Sequence, residues 1–237
     1  MAPGWDERHA YFEEIARPVT ERMLERLDPS PGDAILDLAA GTGVVGFSAA
    51  ALVGPTGRVI VSDFASAMVD VASRRAEELG LDNVECRVLD AERLDLPDGS
   101  VDAVLCRWGY MLMADAAAAL RETRRVLRAD GRVSCAVFAG PEQNPWAALP
   151  LRVLQQRGHI PPPEADAPGI LALADWDRLR GLFTKPVSQL PRSRRLRSAS
   201  GSQERTTTGG TSTAPPAQSR WCSASWTKTS GSGFATR

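Results

Sequence analysis

Three acids stand at or near the ends of three apolar runs: Asp37 within 34–38, Asp63 after 58–62 and Asp90 after 84–89. A carboxylate only accepts hydrogen bonds and offers several lone pairs, so each acid suits a ligand rich in donors. Beyond Asp37 the chain reads Leu38-Ala39-Ala40-Gly41-Thr42-Gly43-Val44-Val45-Gly46. Gly41 and Gly43 allow a sharp turn and a close approach of bare backbone to a ligand. Asp63 can accept from the two vicinal hydroxyls of a ribose, and Asp90 from an exocyclic adenine amine. Asp37 lies near where an ammonium would sit, directly or through water. A ligand with an amine and a nucleoside body, such as S-adenosylmethionine, meets all three demands.

Two other readings compete. The run Gly41-Thr42-Gly43-Val44-Val45-Gly46 also fits the dinucleotide pattern GxGxxG, with Asp63 at a suitable distance. Asp37 argues against this NAD(P)-binding alternative, because it would repel a pyrophosphate and welcome an ammonium. The second alternative is structural, since strand-end acids often serve only as helix caps.

The elements that must position these acids alternate along the chain. Helical spacing predicts a helix over 5–27 (Phe12, Ile15, Val19, Met23, Leu24, Leu27), closed by Pro29 and Pro31. Strands are predicted over 34–38, 58–62, 84–89, 101–107 and 132–138, and helices over 44–53, 66–79 and 115–127, the last with Asp130-Gly131 as its exit. This alternation predicts an α/β fold: a Rossmann-like, doubly wound, mostly parallel sheet with helices on both faces. In such sheets ligands bind outside the carboxyl ends of the strands, where these acids fall. Residues 141–170 carry seven prolines and interrupt the rhythm, with a short helix near 146–157. A long connection after a core strand suits a lid or substrate-binding insertion. A last helix is predicted over 175–183.

Composition bounds the class. The 237 residues are 43% hydrophobic and 24% charged, as expected of a soluble domain with a sizeable core. The polar segment 1–17 does not read as a secretory leader. Asp37 and glycines break the apolar run 34–54, so it does not read as a membrane helix. Cys86, Cys106, Cys135 and Cys222 show neither CxxC spacing nor nearby histidines. They read as core thiols in a reducing cytoplasm, with no metal site.

Four stretches, ILDLAAGTGVVG, VIVSDFASAMVDVA, VLDAERLDLPDGSVDAVLCRWGYMLMAD and VLRADGRV, lie in order between about residues 33 and 140. Through them the chain resembles the class I S-adenosylmethionine-dependent methyltransferases. Within these it is similar to the ubiquinone/menaquinone biosynthesis, or type 11, group. The resemblance implies a small-molecule methyl acceptor. It also implies cofactor contacts from Asp37, Ala39, Gly41 and Gly43, from Asp63, Phe64 and Met68, and from Asp90 and Ala91. Arg107 and Trp108 would flank the sulfonium. Ala39 departs from the glycine that many members carry. Trp108, Tyr110, Met111 and Met113 are candidates for an acceptor pocket, or for ordinary core. Trp5 and Tyr11 could cover the cofactor or simply pack, and His159 could be a base or an exposed loop residue. No residue is assigned as catalytic. The cofactor carries the reactive chemistry, and the protein mainly positions and desolvates.

The composition changes after Thr184. Residues 1–184 hold nineteen basic and twenty-eight acidic residues; 185–237 hold nine basic and one acidic, with nineteen Ser/Thr and only Val187, Leu190, Leu196 and Phe234 as large aliphatic or phenyl side chains. Such a stretch is expected to be disordered. It falls where the family places its last edge strands, and these are therefore expected to be missing. A frameshift accounts for the change, because one shifted reading of a compatible codon choice for 185–196 gives EAGFSVAEVEEV. The alternative is a basic tail that binds nucleic acid or an acidic partner. On this reading 1–184 is the methyltransferase domain. An exposed sheet edge would favour a homodimer, and the chain could be a truncated protein that binds cofactor without turnover.

Overall fold

A computed structural model describes residues 9–162, 167–184, 221–228 and 234–236. Helix α1 (His9–Leu27) leads into β1 (Ala34–Leu38), α2 (Val44–Val53), β2 (Arg58–Asp63), α3 (Ser66–Glu78) and β3 (Val84–Val88). Then follow β4 (Val101–Arg107), a 3-10 turn (Tyr110–Leu112), α4 (Ala116–Val126), β5 (Leu127–Phe138), α5 (Pro145–Gln156) and α6 (Trp176–Thr184). Strands β6 (Trp221–Lys228) and β7 (Phe234–Thr236) complete one sheet of order β3-β2-β1-β4-β5-β6-β7. The first five strands are parallel, and the last two run antiparallel.

Strand alternation sorts the core into two layers. Ile35, Val59 and Val61 pack with Val19, Met23 and Leu27 of α1 and with apolar residues of α2 and α3. Leu36, Leu38 and Ile60 face the other way, toward Leu120 of α4 and Leu179 and Phe183 of α6. Every residue of β1 is buried, as a parallel strand covered on both faces requires. Asp37 shares the parity of Ile35, so a carboxyl group occupies a core-facing position beneath α2.

Capping sets several boundaries. Asp115 Oδ1 accepts from the Ala118 backbone N–H at 2.8 Å and starts α4. Asp175 Oδ1 accepts from the Arg178 N–H at 2.9 Å and starts α6. The Asp130-Gly131 pair is not a helix exit. It sits inside β5, where the pairing to β4 jumps between Val101–Leu127 and Ala103–Arg132, and Asp130 takes a φ of 62°.

The sheet corrects one expectation: the C-terminal edge strands are present. β6 pairs with β5 from Arg132–Thr227 to Phe138–Trp221, and β7 pairs with β6. Ladder hydrogen bonds come from the backbone, so a segment poor in Leu, Ile and Val can still close an edge. Trp and Thr in this segment also suit a strand. Residues 185–220, 229–233 and 237, where the disordered-tail and frameshift readings mostly fall, lie outside the described residues. Among the described residues no helix is long and apolar enough to cross a membrane.

Candidate active site

At the carboxyl ends of β1–β4 lies a cavity of about 730 Å³. Its lining includes ten of the eleven residues that the resemblance marks: Asp37, Ala39, Gly41, Asp63, Phe64, Met68, Asp90, Ala91, Arg107 and Trp108. Gly43 is not among them. It caps α2 with a φ of 87°, and a Cβ there would come within 2.5 Å of the Phe47 ring. Its role is to let the turn close onto the helix.

The strand order lays the charged groups out in a row, Asp90, Asp63, Asp37, Arg107, across four adjacent strands. At about 4.8 Å per strand the row spans about 14 Å.

Asp37 is 1% exposed. Its Oδ2 accepts from the Gly46 N–H at 2.7 Å, which ties β1 to the first turn of α2. Its Oδ1 is buried without a partner among the described residues. Burial pushes this carboxyl up to about 7; the Gly46 hydrogen bond and the Arg107 charge pull the other way, and the Asp63 and Glu13 charges add to the rise. A buried carboxyl group with one oxygen lacking a partner, at the wall of a cavity, can accept a hydrogen bond from a ligand there.

Asp63 accepts at both oxygens from the turns it joins, from Gly41 N–H at Oδ2 and from Ala65 N–H at Oδ1, both at 2.9 Å. Each oxygen keeps a lone pair free. Asp90 is exposed, and its Oδ1 accepts from the Glu92 N–H at 2.9 Å. Phe64 is 77% exposed at the cavity rim.

Two tight turns meet at the cavity floor. Ala39 and Trp108 both adopt left-handed backbone, with φ of 54° and 62°. A Cβ on Gly109 would lie 2.7 Å from the Ala39 Cβ, so only glycine lets the turns abut. Trp108 stacks on Phe138 at 5.1 Å and meets the edge of Phe12 at 5.7 Å. Its Nε1 is buried without a partner among the described residues.

Sequence reasoning missed Glu13. Its carboxylate receives two hydrogen bonds from Arg107, Nη1 to Oε2 at 2.9 Å and Nη2 to Oε1 at 2.7 Å, and Arg107 Nη1 also donates to Thr20 Oγ at 2.7 Å. The pair joins residues 94 positions apart, so no local spacing announces it. Other lining residues not anticipated include Phe12, Thr42, Val45, Glu92 and Leu112.

The acceptor candidates divide. Trp108 and Met113 line the cavity. Tyr110 and Met111 belong to the core, where the Tyr110 hydroxyl meets the Thr123 hydroxyl at 2.8 Å. His159 is exposed after α5 and does not line the cavity. Trp5 and the side chain of Tyr11 lie outside the described residues. Cys106 and Cys135 are buried in the core, and burial pushes the Cys106 thiol up to about 12. Among the described residues no group of three His, Cys, Asp or Glu could hold a metal ion.

The profile of the ubiE/COQ5 methyltransferase family matches residues 14–151. The chain is 40% identical to nocamycin O-methyltransferase of Saccharothrix syringae over 144 residues, which cover 59% of this chain and 50% of that one. It is 34% identical to the ubiquinone/menaquinone biosynthesis C-methyltransferase UbiE of Caulobacter vibrioides over 159 residues, 62% of each. These matches thus span about half to three-fifths of the relatives' length. In fold it is similar to the YcgJ protein of Bacillus subtilis, with a TM-score of 0.55, 25% identity and coverage of 69% and 65%. A Bacillus halodurans structure gives a TM-score of 0.54 at 22% identity, covering 70% and 68%. With more than half of its length matched by the profile, and with a strand order and cavity of this kind, the chain belongs to the ubiE/COQ5 methyltransferase family, whose cofactor is S-adenosylmethionine.

Proposed function

We propose that this chain is an S-adenosylmethionine-dependent methyltransferase acting on a small-molecule acceptor, by in-line transfer and without metal. The observation that carries this reading is Asp37: a core-facing carboxyl with one unpartnered oxygen at the wall of the cavity, in line with Asp63 and Asp90. The residues present fit the cofactor. Asp37 receives the ammonium, Asp63 the ribose hydroxyls and Asp90 the adenine amine, while Ala91 and Met68 flank the base. Bare backbone at Gly41 and Ala39 admits the methionyl chain. A pyrophosphate would meet a buried acid at the same spot, which disfavours a dinucleotide.

The cofactor supplies a methyl group on a sulfonium, ready for displacement. The chain's part is to hold the reacting partners in line and keep water out, which alone accounts for a large share of the rate. Trp108 forms the wall beside the reacting centre, backed by Phe138. Trp108 and Met113 offer an apolar surface to the acceptor, and the segment 141–170 is read as a lid or substrate-binding insertion. No side chain is assigned as a base. Bacterial relatives, buried thiols and the absence of a membrane-crossing helix among the described residues support a cytoplasmic bacterial enzyme. No nucleic acid is required as a partner.

Titration calorimetry with S-adenosylmethionine, S-adenosylhomocysteine and NAD tests the reading. We expect the two adenosyl ligands to bind and NAD not to; NAD binding alone would overturn it. Turnover against quinols, phenols and amines then separates an active enzyme from a chain that only binds cofactor.

A further inference from the structure

α1 has two halves with different attachments. From Val19 to Leu27 it is anchored by Val19, Met23 and Leu27, all nearly or fully buried. Before that, Ile15 is 39% exposed, and among residues 12–18 only Ala16 is buried in the core. Pro18 lies between the halves inside the helix. Proline lacks the N–H that would bond the carbonyl one turn back, so the helix is weakest there. The first half reaches the cavity through Phe12, edge-on to Trp108, and through Glu13, clamped on Arg107. All four of these residues line the cavity.

Arg107 is the only cation among the described residues that line the cavity. Its side chain is 8% exposed and that of Glu13 is 16% exposed, so the pair is largely withdrawn from water. The cofactor read above carries a carboxylate as well as an ammonium, and the cation suited to that carboxylate already holds one. We propose that the first half of α1 is a strap hinged at Pro18 and latched by Glu13 on Arg107, and that the ligand's carboxylate opens it by replacing Glu13. This rests on the adenosyl reading of the cavity. The exchange conserves a charge-assisted, two-point contact, so it runs at little cost once the ligand is in place. It also gives an acid at the cavity wall a use: Glu13 neutralises Arg107 while the cavity is empty and leaves with the strap when the ligand's carboxylate takes its place.

The test compares two ligands that differ only in the amino-acid group: S-adenosylhomocysteine, which has it, and 5′-methylthioadenosine, which lacks it. In Glu13→Gln the guanidinium loses its ionic partner, and the ligand carboxylate no longer has a competitor. We expect S-adenosylhomocysteine to bind about tenfold more tightly than to the wild type, while methylthioadenosine is unchanged. Equal shifts for the two ligands, or weaker S-adenosylhomocysteine binding, would overturn the latch. A wild-type chain that binds neither ligand would instead overturn the adenosyl reading, and the latch with it. Should Glu13→Gln not fold, Glu13→Asp carries the same comparison. It keeps the charge but shortens the reach, so the gain is smaller and again confined to S-adenosylhomocysteine.

Discussion

Asp37 gives the molecule a built-in pH dependence. Its folded-state value of about 7 lies above its ordinary value of 3.8, so the fold favours the neutral acid. The contribution to stability is full below about pH 4 and is lost as pH rises through 7, on the order of 4 kcal/mol in all. Asp37→Asn keeps an acceptor for the Gly46 N–H and removes the charge. Its ligand-free melting midpoint should rise relative to wild type above pH 7, and its decline between pH 4 and 7 should flatten. Ligand affinity moves the other way. The ammonium calls for the ionised acid, so S-adenosylhomocysteine should bind about tenfold more weakly per unit below pH 7 and reach a plateau above it. Calorimetry from pH 5.5 to 8.5 reads this directly, and a flat wild-type profile would contradict it. Ala39 is strained for a different reason. Alanine at a φ of 54° costs about 1–2 kcal/mol, partly offset by the freedom glycine has when unfolded. Ala39→Gly should therefore stabilise the chain by about 0.5–1 kcal/mol, measured as a higher denaturant midpoint with an unchanged slope.

The β1–turn–α2 unit works because the helix sits almost on the sheet. An added Cβ at Gly46 would lie 2.6 Å from Val61 Cγ2 and 3.0 Å from Asp37 Oδ2. Gly46→Ala must push α2 off β1 and stretch the Asp37 hydrogen bond. We expect a loss of about 1–3 kcal/mol in thermal or denaturant melts, with weaker S-adenosylhomocysteine binding. This unit was legible in the sequence because its demands are local: an apolar run, an acid and glycines at fixed spacing. Asp63 and Asp90 were legible for the same reason. Glu13 was not, since on a helix-periodic stretch it looks like part of a solvated face, and its partner lies on β4. The start of β5 was misread because Asp130-Gly131 has the chemistry of a helix exit but serves an irregularity within a strand. β6 and β7 were missed because their place depends on β5's open edge, a tertiary demand that side-chain composition does not reveal.

At the scale of the whole molecule, the cavity and the C-terminal strands occupy different parts of the sheet. Every described residue that lines the cavity lies between Phe12 and Ala114, on α1, β1–β4 and their loops. β6 and β7 close the opposite edge, beyond β5. Seven consecutive residues of β5, Arg132 to Phe138, pair with β6, and Val133, Cys135, Ala136 and Val137 among them are buried. Cutting the chain after Thr184 would bare this edge. An unpaired apolar strand is a template for pairing with another chain. The cut protein should melt at a lower temperature and self-associate with rising concentration, seen by light scattering coupled to size exclusion. Whatever remains monomeric should still bind S-adenosylhomocysteine, because no described lining residue has been removed. If the cut chain stays monomeric with an unchanged midpoint, β6 contributes nothing to the fold. If it loses binding while staying folded, the cavity depends on the far edge of the sheet, and the division between binding half and closing half does not hold.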